Sequence, residues 1–453
     1  MAAMAMAERL ARAQALYNAF VHVVPPAELE RLIGAPASNA TSALKGRSLA
    51  VKANISVRGW PTTCASRALA NYRAPYDATC VERLRAHGAM VVASTNMDEF
   101  GMGSDGTTSA HGPTRSPWGP THSPGGSSSG SAVAVACSAV FAALGSDTGG
   151  SVRLPAARCG VVGLVPSRGV VSRHGLVAYA SSLDTVGVLA RSVRDAAVVL
   201  QCIAGPDGRD ATCDRSLPAL LAAAPKATLR IGIPVALLTE DVCASTLKAW
   251  SDTARLLADD GADVVDVDLH GLADCLAAYY VIALAEAGSN LARYDGVRYG
   301  AGLTGDGAEF AQSVAAARAR VFGAEVQKRL LMGALALSVD STERFYKRAS
   351  RFRDHLRAQL RSLLSDNVDA LLLPTAPTAM PSHHAHSGYF EDLFTVPASL
   401  AGLASLSLPV AVCPVSNAPV GMQVVALDEA TCVHIGERVE RLARFAPPPS
   451  LAV

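Results

Sequence analysis

Lysine is scarce in this 453-residue chain. Only Lys45, Lys52, Lys226, Lys248, Lys328 and Lys347 occur among 40 basic residues, and the rest are arginine. Charge imbalance is also lacking. The 40 basic residues face 39 acidic ones, a formal net charge of +1, and 17% of residues are charged against 50% hydrophobic. Disorder needs low hydrophobicity with high net charge, so a largely disordered chain is excluded. A protein living mainly on phosphate contacts is basic as a whole, which this one is not, although a local basic patch stays open. Long apolar runs are missing too. The longest near-continuous one, Ala132 to Leu144, has 13 residues and contains Ser138, whereas a spanning helix needs about 20. It reads as a buried core helix, and no membrane span is expected. No two of the ten cysteines (Cys64, Cys80, Cys137, Cys159, Cys202, Cys213, Cys243, Cys275, Cys413, Cys432) form a CxxC pair. Neither a zinc site nor a redox pair is indicated, and the thiols fit a reducing compartment.

What is present is an alternation of helix-like and strand-like segments. Leu49–Val51 reads as a strand. Thr79–His87 has helical spacing, ends at Gly88 and precedes a strand-like Met90–Ala93. Ser192–Ile203, Cys243–Asp260, Leu272–Ala292, Glu325–Leu337 and a long charged Ser341–Leu364 read as helices. Leu229–Pro234, Ala262–Val267, Ala370–Leu373, Ser405–Val412 and Gly421–Ala426 read as strands, and a last helix runs to Ala443. Mixing of this kind marks an α/β class, with insertions expected around Asp207 and Gly300. No internal repeat is visible. The Ala- and Met-rich stretch Met1–Tyr17 lacks the apolar core of a secretory signal. It reads as a first surface helix or a short mitochondrial address.

Between Asn96 and Gly130 the composition turns to Gly, Ser, Thr and Pro. A long loop of this kind inside a compact domain is usually functional or disordered. Two dense segments follow, Gly125-Gly126-Ser127-Ser128-Ser129-Gly130-Ser131 and Gly145-Ser146-Asp147-Thr148-Gly149-Gly150-Ser151-Val152-Arg153-Leu154-Pro155, with the expected 13-residue helix between them. Glycines allow close backbone approach, and consecutive N–H groups can converge on an anion. A phosphate loop of the GxxxxGK[ST] type needs a lysine after its glycine, and neither segment has one. An oxyanion hole needs a nucleophile beside its donors, and Ser151 follows Thr148-Gly149-Gly150. A serine nucleophile needs a base, which a lysine can supply. Lys52 ends the apolar run Leu49-Ala50-Val51, where burial lowers an amine's pKa. It is either a snorkelling strand-end cation or that base. Arginine, which this chain otherwise prefers, cannot accept a proton at neutral pH.

Lys52, the Gly125–Ser131 segment and the Gly145–Pro155 segment together resemble the amidase signature family. Ser127 lies 75 residues after Lys52, and Ser151 lies 24 after Ser127. The resemblance implies a mixed central β-sheet covered on both faces by helices. It implies a single domain over 1–453, with a core at about 44–443 and a helical segment at 1–43. It also implies Lys52 as base, Ser127 in a cis peptide as relay to the nucleophile Ser151, backbone N–H groups of Thr148, Gly149, Gly150 and Ser151 as oxyanion hole, and Ser128 as support for the lysine.

Other segments are similar to the A subunits of glutamyl-tRNA(Gln) amidotransferases. They are Thr62–Ser66, Thr95–Ser104, Gly112–Arg115, Ser289–Gly300 and Asp392–Pro397. That resemblance implies hydrolysis of glutamine, with Arg329 taking the α-carboxylate, Asp392 the α-ammonium and Tyr279 lining the pocket. Leaving either charge of a bound amino acid buried and unpaired is costly. It further implies two partners, a B subunit plus a small third subunit. ATP and Mg²⁺ would be used by the B partner, which would grip most of the Glu-tRNA(Gln), so this chain itself would need no cofactor. A free-standing amidase acting on another small amide is the alternative. Ala53, Val165 and Arg168 depart from the residues usual at those places. The short chain before Lys52 and the run Gly126-Ser127-Ser128-Ser129-Gly130 resemble fungal mitochondrial forms, so the mitochondrial matrix is the expected location.

Overall fold

The computed structural model describes residues 2–34, 43–217, 228–235, 242–269, 271–300, 302–303, 309–379 and 389–447. Parts of both expected insertions, 218–227 and 304–308, lie outside the described residues. Strands rich in Val, Leu and Ala, most of them buried along their length, assemble one mixed sheet of eleven strands. They are β1 Phe20–Val23, β2 Ser48–Lys52, β3 Met90–Thr95, β4 Ala142–Asp147, β5 Val162–Val165, β6 Thr185–Ala190, β7 Arg230–Pro234, β8 Asp263–Val267, β9 Ala370–Pro374, β10 Ala404–Val412 and β11 Pro419–Ala426. Their spatial order is β1-β3-β2-β4-β6-β5-β10-β11-β9-β7-β8. The pairs β2–β3, β2–β4, β7–β8 and β7–β9 are parallel, and the other pairs are antiparallel.

The helices are α1 Ala2–Tyr17, α2 Pro26–Gly34, α3 Thr79–Ala86, α4 Ser129–Ala136, α5 Arg153–Cys159, α6 Val193–Ile203, α7 Ala244–Asp259, α8 Cys275–Leu291, α9 Phe310–Val321, α10 Ala324–Leu337, α11 Arg348–Ser362, α12 Val396–Ala401 and α13 Glu429–Ala443. One contiguous row against the sheet is formed by α3, α6, α13 and α7, and another by α4 and α5. The stretch 272–291 around α8 is long and apolar enough to cross a bilayer by length and composition, and half of it is buried inside the fold. It packs as a core helix against α10 and α11.

Three expectations need correction. The run Ala132–Leu144 is not one helix. Helix α4 ends at Ala136, Ser138 turns the chain at φ 60°, and β4 begins at Ala142. A short apolar run fits helix and strand equally by periodicity. The sheet decides, because the Phe141 N–H reaches the Ser48 carbonyl at 2.8 Å and the chain continues beside β2. The segment 1–43 is not wholly helical, since it carries the edge strand β1, paired antiparallel to β3. The long helix expected over Ser341–Leu364 is regular only over Arg348–Ser362, with wider π-type turns at Glu343–Lys347 and Leu363–Asn367. Helix α1 meets the first-helix reading, burying Ala3, Met6, Leu10 and Ala13 along one stripe.

Candidate active site

Parallel β2, β3 and β4 lie side by side, with Val51 opposite Ser94 and Leu144. Their C-terminal ends therefore open at one edge of the sheet, where α/β folds gather ligands. Lys52 ends β2 and is completely buried. Its Nζ donates to Ser127 Oγ at 2.7 Å and to the Ser146 carbonyl at 3.1 Å. Burial disfavours its ammonium and brings the pKa from 10.5 down to about 7, although Asp98 and Asp147 pull the other way. The Gly126–Ser127 peptide is cis. Ser128 Oγ donates to the same Ser146 carbonyl at 3.3 Å, so its support of the lysine runs through that shared acceptor.

The Gly/Ser/Thr-rich stretch before Ser127 is fastened by Asp98. This fully buried carboxylate accepts from the N–H groups of Gly106 and Thr108 and from the Thr108 hydroxyl, all at 3.0–3.1 Å. A Cβ on Gly126 would come within 2.0 Å of Asp98 Oδ2, so that approach requires glycine. Burial raises the Asp98 pKa to about 6.

A second carboxylate shapes the nucleophile loop. Asp147, at the end of β4, accepts from the N–H groups of Gly150 and Val152 at 2.9 Å each. It also pairs with the fully buried Arg153 at 3.0 Å. Arg153 donates onward to the Thr395 carbonyl at 2.8 Å, Gln423 Oε1 at 3.2 Å and Ser399 Oγ at 2.6 Å. The expected oxyanion donors are therefore not equivalent. The Gly150 N–H is taken by Asp147, whereas those of Thr148, Gly149 and Ser151 have no hydrogen-bond partner among the described residues. Gly150 contributes backbone shape instead. It sits at φ 145°, and a Cβ there would meet Thr395 Oγ1 at 2.3 Å. At Gly149 a Cβ would lie 2.4 Å from the Tyr279 ring. Ser151 is partly exposed beside the buried Ser127, and its carbonyl accepts from the Ser128 N–H at 3.1 Å. The Lys52–Ser127 half of the expected bridge is thus a hydrogen bond. For the other half, no hydrogen bond between Ser127 and Ser151 is present among the described residues, and the loop bearing Ser151 is tied instead to Ser128.

Beside this loop lies a buried cluster of phenolic and charged side chains. Tyr279 hydrogen bonds Thr148 Oγ1 through its hydroxyl at 2.9 Å. Its neighbour Tyr280 donates to Asp392 Oδ2 at 2.8 Å, and Ser104 Oγ donates to the same oxygen at 3.4 Å. Burial raises the Asp392 pKa to about 7. Arg329 is 5% exposed. It donates to Tyr179 Oη at 3.1 Å and Glu325 Oε1 at 2.7 Å, with the rings of Tyr280 and Tyr389 5.7 and 5.5 Å away. Asp98, Asp147, Arg153, Tyr179, Tyr280 and Glu325 were not singled out in the sequence. Only Asp147 carried a usable signal, an acid embedded in the Gly/Ser/Thr segment. Of the departures, Ala53 is buried against Ala65 and Met97, and Val165 pairs with Ser405 in the sheet. Among the described residues no cluster of metal-ligating side chains occurs.

Comparison with known proteins places this geometry in context. The profile of the family described as Amidase matches residues 2–432. The glutamyl-tRNA(Gln) amidotransferase A subunit of Synechococcus sp. (strain CC9605) is 43% identical over 466 residues, spanning 98% of this chain and 94% of that protein. Its counterpart of the same name in Natronomonas pharaonis is 46% identical over 407 residues, spanning 87% and 95%. Among solved structures, the amidotransferase A subunit from Thermotoga maritima is 35% identical with a TM-score of 0.77, covering 98% of this chain and 89% of that one. The buried lysine, the serine loops and these alignments lead to one assignment: the chain belongs to the amidase family.

Proposed function

We propose that this chain is the glutamine-hydrolysing A subunit of a glutamyl-tRNA(Gln) amidotransferase. The observation that carries the reading is the buried Lys52–Ser127 hydrogen bond next to the Ser151 loop, set near a buried cluster that holds both Arg329 and Asp392. Lys52, with a pKa brought to about 7, is available as a neutral base. In the proposed reaction Ser127 passes its proton to Lys52 and takes that of Ser151, whose Oγ attacks the side-chain amide carbon of glutamine. The N–H groups of Thr148, Gly149 and Ser151 hold the oxyanion of the tetrahedral intermediate. The proton returns through Ser127 to the nitrogen, and ammonia leaves an acyl ester on Ser151. Water, deprotonated along the same path, releases glutamate and restores the serine. Arg329 would meet the α-carboxylate with a planar fork and Asp392 the α-ammonium. Tyr279 would close the pocket wall over Gly149.

The proposed partners are a B subunit plus a small third subunit. The B subunit would use ATP and Mg²⁺ to activate glutamate on tRNA(Gln) and would receive the ammonia. The near-neutral charge of this chain suits a protein that leaves most of the tRNA contact to its partner. The mitochondrial matrix is the proposed location, and cell fractionation tests it. For the activity, ammonia release from glutamine, asparagine and simple aliphatic amides should be compared with and without partner chains captured by the native protein. Glutamine is expected to be the preferred amide. Hydrolysis of aliphatic amides without any turnover of glutamine would replace this reading with a free-standing amidase.

A further inference from the structure

Two of the ten cysteines have surroundings unlike the other eight. Cys243 immediately precedes α7, and Cys413 immediately follows β10. No CxxC spacing announces them, because the fold joins them from distant segments. Their thiols meet at one hydroxyl: Ser245 Oγ lies 3.2 Å from Cys243 Sγ and 3.4 Å from Cys413 Sγ. Thr246 Oγ1 stands 3.1 Å from Cys243 Sγ as well. The Cys243 sulfur also accepts from the N–H groups of Thr246 and Ala379. The Cys413 sulfur accepts from the N–H groups of Val415 and Ser416 and from the Ser416 hydroxyl. Both thiols are free.

Hydrogen bonds to sulfur stabilise the thiolate, whereas apolar burial opposes it. Burial acts on both thiols, but these donors outweigh it. They hold Cys243 below the usual thiol range and bring Cys413 down to about 7. In the other eight cysteines burial wins and the thiol is pushed up. Access differs within the pair. Cys243 is partly exposed, and Cys413 is 4% exposed. A disulfide needs its sulfurs in bonding contact, so Ser245 has to turn aside first. That residue is itself partly exposed. The pair also joins a wider network. The Cys243 N–H donates to the Pro377 carbonyl at 2.9 Å. The next residue, Thr378, accepts from Arg158 through its carbonyl at 2.8 Å and its hydroxyl at 3.0 Å. Arg158 in turn pairs with Glu391, the neighbour of Asp392.

We propose that Cys243 and Cys413 form an oxidisable dithiol, which reacts with small-molecule disulfides of the glutathione class and closes to an intrachain bond. The partly exposed Cys243 thiolate attacks one sulfur of the reagent. A mixed disulfide forms on Cys243, and the first reagent thiolate leaves. The Cys413 thiolate then attacks Cys243 Sγ, the Cys243–Cys413 bond forms, and the second reagent thiolate leaves. The two departing thiolates take up the two protons lost by the cysteines. Two protein thiols are thus oxidised as one reagent disulfide is reduced to two thiols. Closure shifts Cys243 against Pro377–Ala379 and reaches Asp392 through Arg158 and Glu391. This last link rests on the proposed glutamine-binding role of Asp392, whereas bond formation does not.

The test incubates the full chain, in complex with any captured partner, with oxidised glutathione. Remaining thiols are blocked with N-ethylmaleimide, and the peptides are identified by mass spectrometry. A linked Cys243–Cys413 peptide pair is expected to form about tenfold faster than any of the other eight cysteines reacts, and to reopen with dithiothreitol. Cys413→Ser should stop at a glutathione adduct on Cys243, and Cys243→Ser should leave Cys413 unreacted. On the same samples, the KM for glutamine should rise about threefold or more in the closed form, with a smaller change in kcat. Dithiothreitol should restore it, and neither variant should show it. The dithiol is overturned by no reaction at either cysteine, by a stable adduct on Cys243 of the parent, or by earlier reaction at the other eight. A closed bond with unchanged KM overturns the link to Asp392. The mass readout needs no turnover, so failure of glutamine hydrolysis is told apart from failure of the bond.

Discussion

Two cations sit buried beside the Ser151 loop, and their surroundings drive them apart. Lys52 meets a hydroxyl and a carbonyl, both neutral acceptors, and the nearest carboxylates act only from a distance. Arg329 is wrapped by the phenols of Tyr179, Tyr280 and Tyr389 and bonded to the carboxylate of Glu325. Similar burial thus yields an amine poised to lose its proton and a guanidinium fixed in its charged form. The first suits proton transfer and the second suits holding an anion. Their difference lies in what the neighbours can accept.

The sharpest way to break this contrast is Lys52→Arg, which replaces an amine able to become neutral with a guanidinium that stays charged and so removes the proton acceptor. Turnover is expected to fall on the order of 10⁴-fold or more, as for loss of an essential member of a triad. Steady-state ammonia release above a tenth of the parent rate would end the assignment of Lys52 as base. Next in size is Ser127→Ala, expected to cost about 10²–10⁴-fold in kcat through loss of the relay. A parent-like kcat would return Ser127 to a structural part. Arg329→Lys should act on the other side of the comparison. It replaces a planar fork with a point charge and is expected to raise KM about 10–100-fold with a smaller change in kcat.

The pH dependence separates the two cations further. Lys52 is depressed to about 7, so kcat should decline as pH falls below 7 and the amine becomes protonated. Asp392 is raised to about 7, so its carboxylate is lost over the same range and KM should rise there. Asp392→Asn is expected to flatten the KM profile and leave the acid limb of kcat. A kcat independent of pH between about 5 and 8 would count against Lys52. The smallest effect is expected from Tyr280→Phe. Removing one hydrogen bond to Asp392 should shift KM by up to about tenfold, the scale of about 0.5–1.5 kcal/mol.

The Lys52–Ser127 pair and its nearness to the Ser151 loop were legible because each lies in a segment whose composition is itself unusual: a lysine closing an apolar run, and two Gly/Ser-dense loops at fixed separation. Most strands were legible from their branched apolar runs. The pocket was less so. Tyr179 and Tyr280 look like ordinary core tyrosines, and they meet Arg329 and Asp392 only because distant segments converge on the edge of one sheet. Gly150 was misread for a related reason. A run of N–H groups suggests donors, but the sequence does not say that Asp147 claims one of them. The break between α4 and β4 was hidden because Ala, Val and Leu serve either element, and the neighbouring strand made the choice.

The edge strand at the N-terminus has one further consequence. The Ala19 carbonyl accepts from the Asn96 N–H at 2.8 Å, and it would lie 2.3 Å from a Cβ placed on Gly130. Asn18 Nδ2 reaches the carbonyls of His111 and Gly112 at 3.0 and 3.1 Å. The opening segment through Phe20 therefore acts as a latch across the loop that carries Ser127. Asn18→Ala, which removes the contacts to the His111 and Gly112 carbonyls, should slacken that loop while the central strands stay paired, so activity would be lost well before the cooperative melt.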